Sequence, residues 1–157
     1  MLPGINNIIN DFSRFLIVLL FVYTGSSKLL GYEVFVNQLS QVAFLKGYAG
    51  FIAVSLPLLE IAVGLLIAIN PTRTYGWWLS SVLMTSFTIY VLIMLLSGNH
   101  LPCTCGGVIS SMTWKQHLIF NIFFMCLSWL ALYNYYQLKN KIISTNKKEV
   151  SRKPLTE

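Results

Sequence analysis

The sequence predicts an all-α membrane protein, an antiparallel bundle of four transmembrane helices with both termini in the cytoplasm. Apolar residues make up 55% of the chain and charged residues only 10%, whereas an ordinary soluble domain carries about 25% charged residues. Four stretches reach the ~20 mostly apolar residues that cross a bilayer as a helix, roughly at residues 13–30, 48–69, 75–97 and 114–136. They fill a single membrane domain over residues 1–136.

The basic residues predict the orientation of this bundle. The segment 137–157 holds six of the eleven lysines and arginines, so the positive-inside rule places it in the cytoplasm. Its composition predicts a disordered tail. Four spans then put the N-terminus in the cytoplasm as well, and the loop between the third and fourth spans outside. Two interpretations of this basic tail are open. It is more often a topology signal that also contacts anionic lipid than a nucleic-acid binding site. The lipid bilayer is therefore a predicted partner and nucleic acid is not.

The outside loop carries two cysteines one residue apart, in the run Asn-His-Leu-Pro-Cys-Thr-Cys-Gly-Gly at residues 99–107. The Cα atoms of Cys103 and Cys105 are about 5.5–7 Å apart at this spacing, which overlaps the range that a disulfide tolerates. A bridge this small is strained and easier to reduce than a structural one. A protonated His100 nearby would favour the thiolate form. The pattern favours thiol–disulfide exchange on the side of the membrane where disulfides persist.

Two other interpretations of Cys103 and Cys105 stay open. The pair is also compatible with a purely structural bridge or with inert loop cysteines. A soft-metal site for Cu(I) or Zn would use the two thiols and His100, with Met112 as a distant fourth ligand. Three clustered ligands without a second cysteine pair are a weak metal signal, so no metal site is predicted.

Polar residues inside the spans form a second group of candidates. Glu60 is the lone acid within a span, and a carboxylate at that depth costs several kcal/mol unless it is paired. Glu60, Gly64 and Ala68 follow one another at four-residue spacing, which predicts a closely packed helix interface. Lys28 is a candidate partner for the Glu60 carboxylate. The alternative is a protonated Glu60 whose hydrogen bonds serve only to hold the helices together.

His117, one turn into the fourth span, is a candidate proton carrier or else a capping or interfacial residue. The third cysteine, Cys126, lies near the middle of the same span, and a buried packing role is predicted for it because free cysteine is among the most buried residue types.

Four segments in this order resemble the MauE branch of the DoxX-like membrane proteins. They are Tyr23-Thr24-Gly25-Ser26-Ser27-Lys28-Leu29, Leu56-Pro57-Leu58-Leu59-Glu60-Ile61-Ala62-Val63-Gly64, Cys103-Thr104-Cys105-Gly106-Gly107 and Trp114 to Asn121. The resemblance covers about residues 12–130, which is nearly the whole predicted bundle.

The resemblance implies a four-helix bundle in the bacterial inner membrane with the cysteine loop facing the periplasm. MauE is implied in maturing methylamine dehydrogenase, a periplasmic disulfide-rich enzyme, and relatives are linked with thioredoxin-like partners and quinone-coupled electron transfer. Carried over by position, it marks Cys103 and Cys105 as a redox pair, and Lys28 and Glu60 as polar family positions. The family loop commonly reads Cys-x-Cys-Phe-Gly, whereas Gly106 stands here in place of the aromatic residue.

Two hypotheses follow. In the first, the chain is a membrane thiol–disulfide oxidoreductase component that exchanges electrons between a periplasmic thioredoxin-like or maturing client protein and the membrane, through Cys103 and Cys105. Quinone enters this hypothesis by family analogy alone. In the second, the chain is a non-catalytic subunit or assembly factor of a larger membrane complex, and the cysteines form a static bridge. Redox cycling of the pair distinguishes the two.

Overall fold

The computed structural model describes residues 3–42, 45–96 and 113–152, and all regular structure in these ranges is helical. The elements are α1 (Pro3–Leu30), α2 (Tyr32–Gln41), a short 3-10 turn (Lys46–Tyr48), α3 (Ala49–Ala68), α4 (Arg73–Leu96) and α5 (Trp114–Arg152). Of the described helices, four are long and apolar enough to cross a membrane, over Asn10–Leu30, Lys46–Ala68, Arg73–Leu96 and Lys115–Thr145. The predicted all-α fold with four spans is confirmed.

The four long helices form a closed ring around one core. Helices α1 and α4 each pack against both α3 and α5. Thr74 contacts Tyr135, whereas Thr85, farther along α4, contacts Trp129, nearer the start of α5, so these two helices run antiparallel. The buried core includes Ile17, Phe21, Val63, Ile67, Trp77 and Met84. Helix α2 lies beside the start of α3, where Phe35 and Leu39 bury Ala49 and Ala53.

Helices α1 and α3 approach closely because glycine lies on both faces. A Cβ atom added to Gly25 would be 2.9 Å from both the Pro57 carbonyl oxygen and Ile61 Cγ1. A Cβ atom on Gly64 would be 3.2 Å from Val22 Cγ2. The predicted interface is confirmed at Gly64, which is buried, whereas Ala68 is exposed.

Helices α4 and α5 are joined by buried hydroxyl groups. Ser128 Oγ lies 2.8 Å from Ser80 Oγ and 3.1 Å from Ser81 Oγ, and all three side chains are fully buried. Farther along α5, the Trp78 indole N–H donates to the Tyr136 hydroxyl at 2.8 Å. Side-chain hydrogen bonds between helices suit an apolar medium, where an unsatisfied polar group is costly.

Two features differ from the sequence-based expectations. Helix α5 continues to Arg152, so residues 137–152 are helical where a disordered tail was expected. This segment has no Gly or Pro, and the span before it supplies the nucleus from which a helix extends at little cost. Cys126 is exposed, whereas the prediction for this cysteine was a buried packing role. A side chain on the outside of a transmembrane bundle meets lipid, so apolar character does not direct it inward.

Candidate functional site

A lysine and a glutamate form an ion pair inside the bundle. Lys28 Nζ of α1 donates a hydrogen bond to Glu60 Oε1 of α3. Lys28 is only 8% exposed and Glu60 only 1%, so the interaction is shielded from the surroundings. The predicted burial of Glu60 is confirmed, and Lys28, its candidate partner, is in contact with it.

The approach of α1 to α3 brings the pair together. Gly25 lies three residues before Lys28 and therefore on the same side of α1. Its missing side chain lets α1 lie against the Pro57 carbonyl, and Pro57 precedes Glu60 by three residues on α3. Lys28 also lies in the last turn of α1, where the negative end of the helix dipole favours a cation.

Two aromatic rings complete the surroundings of the lysine. Lys28 Nζ lies 5.8 Å from the ring centroid of Phe35 in α2 and 5.2 Å from that of Phe87 in α4. Ring faces attract a cation within about 6 Å, and more strongly where water is excluded. Four helices thus converge on one ammonium group. The arrangement holds an ion pair with N–H donors at a depth where ionisable groups are rare and mark functional sites by default.

The cysteine loop connects two helices of the bundle at the end nearer this ion pair. Helix α4 ends at Leu96, and α5 begins beside a capping box in which the Thr113 N–H donates to Gln116 Oε1 at 2.9 Å. Both positions lie at the end of the bundle that also carries Lys28 and α2, since α1 and α4 run in the same direction. Cys103, Cys105 and His100 themselves fall within residues 97–112, outside the described residues.

The family model of the methylamine utilisation protein MauE matches residues 6–134 of this chain. The chain belongs to the MauE family. The match spans the membrane bundle, the ion pair and the cysteine loop, whereas the wider DoxX-like grouping stays a prediction. No curated protein and no solved structure matches the chain at a significant level.

The third polar candidate of this MauE-family bundle lies at the start of α5. His117 is 6% exposed, and its backbone carbonyl accepts a hydrogen bond from the Asn121 side chain at 3.0 Å. This contact fixes the backbone of the first turns of α5. The proton role of His117 stays a prediction.

Three residues that surround the ion pair were not singled out from the sequence. Gly25 stands in the Gly-x-x-Lys segment, and the short spacing to Lys28 was the available signal for it. Phe35 and Phe87 carry no such signal, because nothing in the amino-acid sequence of this MauE-family chain relates either ring to Lys28. Only the three-dimensional arrangement of α2 and α4 around the ammonium group of Lys28 selects these two rings.

Proposed function

We propose that this chain is a membrane thiol–disulfide redox component, with Cys103 and Cys105 as its exchange site. The observation that carries the proposal is the Cys-x-Cys sequence in the loop between α4 and α5 of a MauE-family bundle. The family resemblance implies a bacterial inner-membrane location, and the positive-inside rule supports an orientation with this loop in the periplasm, where disulfides persist.

The exchange reaction balances between the chain and a client dithiol. A client thiolate attacks one sulfur of the Cys103–Cys105 disulfide, which forms a mixed disulfide and releases the other cysteine as a thiolate. The second client thiol then attacks the mixed disulfide. The client leaves with a disulfide, and the pair holds the two electrons and two protons. The same two steps in reverse reduce a client disulfide. A thioredoxin-like protein could be the exchange partner in either direction.

A quinone is the membrane partner that the family resemblance implies for the pair. It would take up the two electrons and two protons. The described residues fit such a group in one respect: Lys28 offers N–H donors for a carbonyl oxygen, between the rings of Phe35 and Phe87. The buried Lys28–Glu60 pair supports this hypothesis over that of a non-catalytic subunit, because ionisable groups inside a membrane bundle mark functional sites by default.

Trapping of a mixed disulfide tests the proposal. In cells with a periplasm, one of the variants Cys103→Ala and Cys105→Ala should accumulate a covalent complex with a thioredoxin-like or client protein, because the resolving thiol is missing. The other variant should not, since attack is directed at one sulfur. Non-reducing electrophoresis and mass spectrometry of the linked peptides provide the readout.

Cys126→Ala is the matched control, because it removes a cysteine that lies on the outer surface of α5. It should trap no complex on its own, and it should leave trapping unchanged when it is added to the productive variant. If neither single variant traps a partner, the pair is a structural bridge, and the chain is a non-catalytic subunit or assembly factor of a larger membrane complex.

A further inference from the structure

A cavity of about 420 Å³ lies between α1, α4 and α5 at the end of the bundle opposite the cysteine loop. Three cations from three different helices line it: Arg14 of α1, Arg73 of α4 and Lys139 of α5. Asp11 is the acidic residue of the lining, and its Oδ1 lies 3.2 Å from Arg14 Nη2. These four side chains carry a formal charge of +2 (three cations and one carboxylate), so the cavity attracts an anion.

Some buried polar atoms in the cavity wall have no hydrogen-bond partner among the described residues. Arg73 Nη2 donates to Asn70 Oδ1, but Arg73 Nε is buried and has no hydrogen-bond partner among the described residues. The side-chain nitrogen and oxygen of Asn10 are also buried, and neither has a hydrogen-bond partner within the described part of the chain. Arg73 Nε and Asn10 Nδ2 are donors, and buried donors cost free energy unless a ligand or water satisfies them. Asn10 Oδ1 is an acceptor and does not favour an anion. The two donors lie beside the positive charges, which suits an oxygen-rich anion.

The rest of the lining is apolar and aromatic. Trp77 and Tyr135 form part of the wall, together with Leu138 and Ile143. The neighbouring Trp78 and Tyr136, joined by their hydrogen bond, are typical of the belt at the level of lipid headgroups. A ligand in this cavity would contact cations and aromatic rings at the level of the lipid headgroups, next to the hydrocarbon core of the bilayer. This combination matches a phospholipid better than a fully water-soluble anion.

We propose that this cavity binds the phosphate-bearing headgroup of an anionic phospholipid, with Arg14, Arg73 and Lys139 as the phosphate ligands. The planar guanidinium groups present two N–H donors to one phosphate, and basic pockets between helices on the cytoplasmic side suit this chemistry. The site is independent of the thiol chemistry proposed above, because it lies at the other end of the bundle.

Competition between lipids tests the site in the full chain. The protein is placed in phosphatidylcholine nanodiscs that contain a small fraction of phosphatidylglycerol, and retained lipid is counted by native mass spectrometry. Phosphatidylglycerol should be retained over phosphatidylcholine. Arg73→Gln should weaken its retention by about tenfold, which corresponds to about 1.4 kcal/mol, because charge-assisted hydrogen bonds to the phosphate are lost. Lys139→Gln, at an exposed position, should weaken it without disturbing the fold.

Lys141→Gln is the matched control, because Lys141 is an exposed cation on the same helix that does not line the cavity. It should change retention by less than about twofold, as expected for a charge outside the site. An equal loss in Lys141→Gln and Lys139→Gln would mean diffuse surface attraction and would overturn the proposal. So would displacement of phosphatidylglycerol by millimolar inorganic phosphate, which would identify a free-anion site, or equal retention of both lipids.

Discussion

Lys28→Met should destabilise the protein by about 3–5 kcal/mol, because it deprives a buried carboxylate of its cation. Glu60 is 1% exposed, so water does not replace the lost ammonium group. The double variant Lys28→Met/Glu60→Leu should recover most of the loss, since well-packed apolar residues replace a buried ion pair at little or no cost. Reversible unfolding in mixed detergent micelles measures the free energy of unfolding for the two single variants and the double variant.

Substitutions at Glu60 alone sharpen the same prediction. Glu60→Gln keeps a hydrogen-bond acceptor for Lys28, whereas Glu60→Lys places two ammonium groups in contact in an apolar interior. The charge reversal should therefore be the most damaging single substitution at this position. Equal tolerance of Gln and Lys would show that the side chain faces water. If the two single losses simply add in the double variant, Lys28 and Glu60 are not energetically coupled.

Gly25→Ala should destabilise the bundle by about 1–3 kcal/mol, the usual cost of overpacking. The new Cβ atom would lie 2.9 Å from the Pro57 carbonyl oxygen, a backbone atom that cannot move without α3. Helices α1 and α3 should separate, and the coupling energy between Lys28 and Glu60 should fall with them. A double-mutant cycle repeated in the Gly25→Ala background measures that coupling.

Gly50→Ala is the control for this packing effect. Gly50 is also helical, but its added Cβ would be 3.7 Å from Tyr32 Oη, an ordinary contact. Alanine should be neutral there or stabilising by up to about 1 kcal/mol, through helix propensity alone. Equal effects at Gly25 and Gly50 would contradict the close approach of α1 to α3.

Hydropathy was sufficient to predict the spans and the burial of Glu60, because a lone carboxylate in an apolar helix has to face protein. The contact with Lys28 depends on how deeply α1 lies against α3, which Gly25 and Pro57 decide together in three dimensions. Sequence alone gives no such depth. The extension of α5 was missed because polar composition indicates solvation and says little about whether an existing helix continues. The burial expected for Cys126 came from a rule for soluble proteins, and in a membrane the outer surface is itself apolar.

The redox state of Cys103 and Cys105 in intact cells tests the central claim most directly. In a Cys126→Ala background these are the two remaining cysteines, so every label reports on the pair. A membrane-impermeant maleimide should leave untreated cells unlabelled at the pair. It should add two labels after equilibration in a glutathione buffer poised at about −220 to −260 mV, because a strained bridge is more oxidising than structural disulfides below about −300 mV. A pair that stays oxidised in this buffer, or that is labelled only after the membrane is broken, would contradict the proposed periplasmic exchange site.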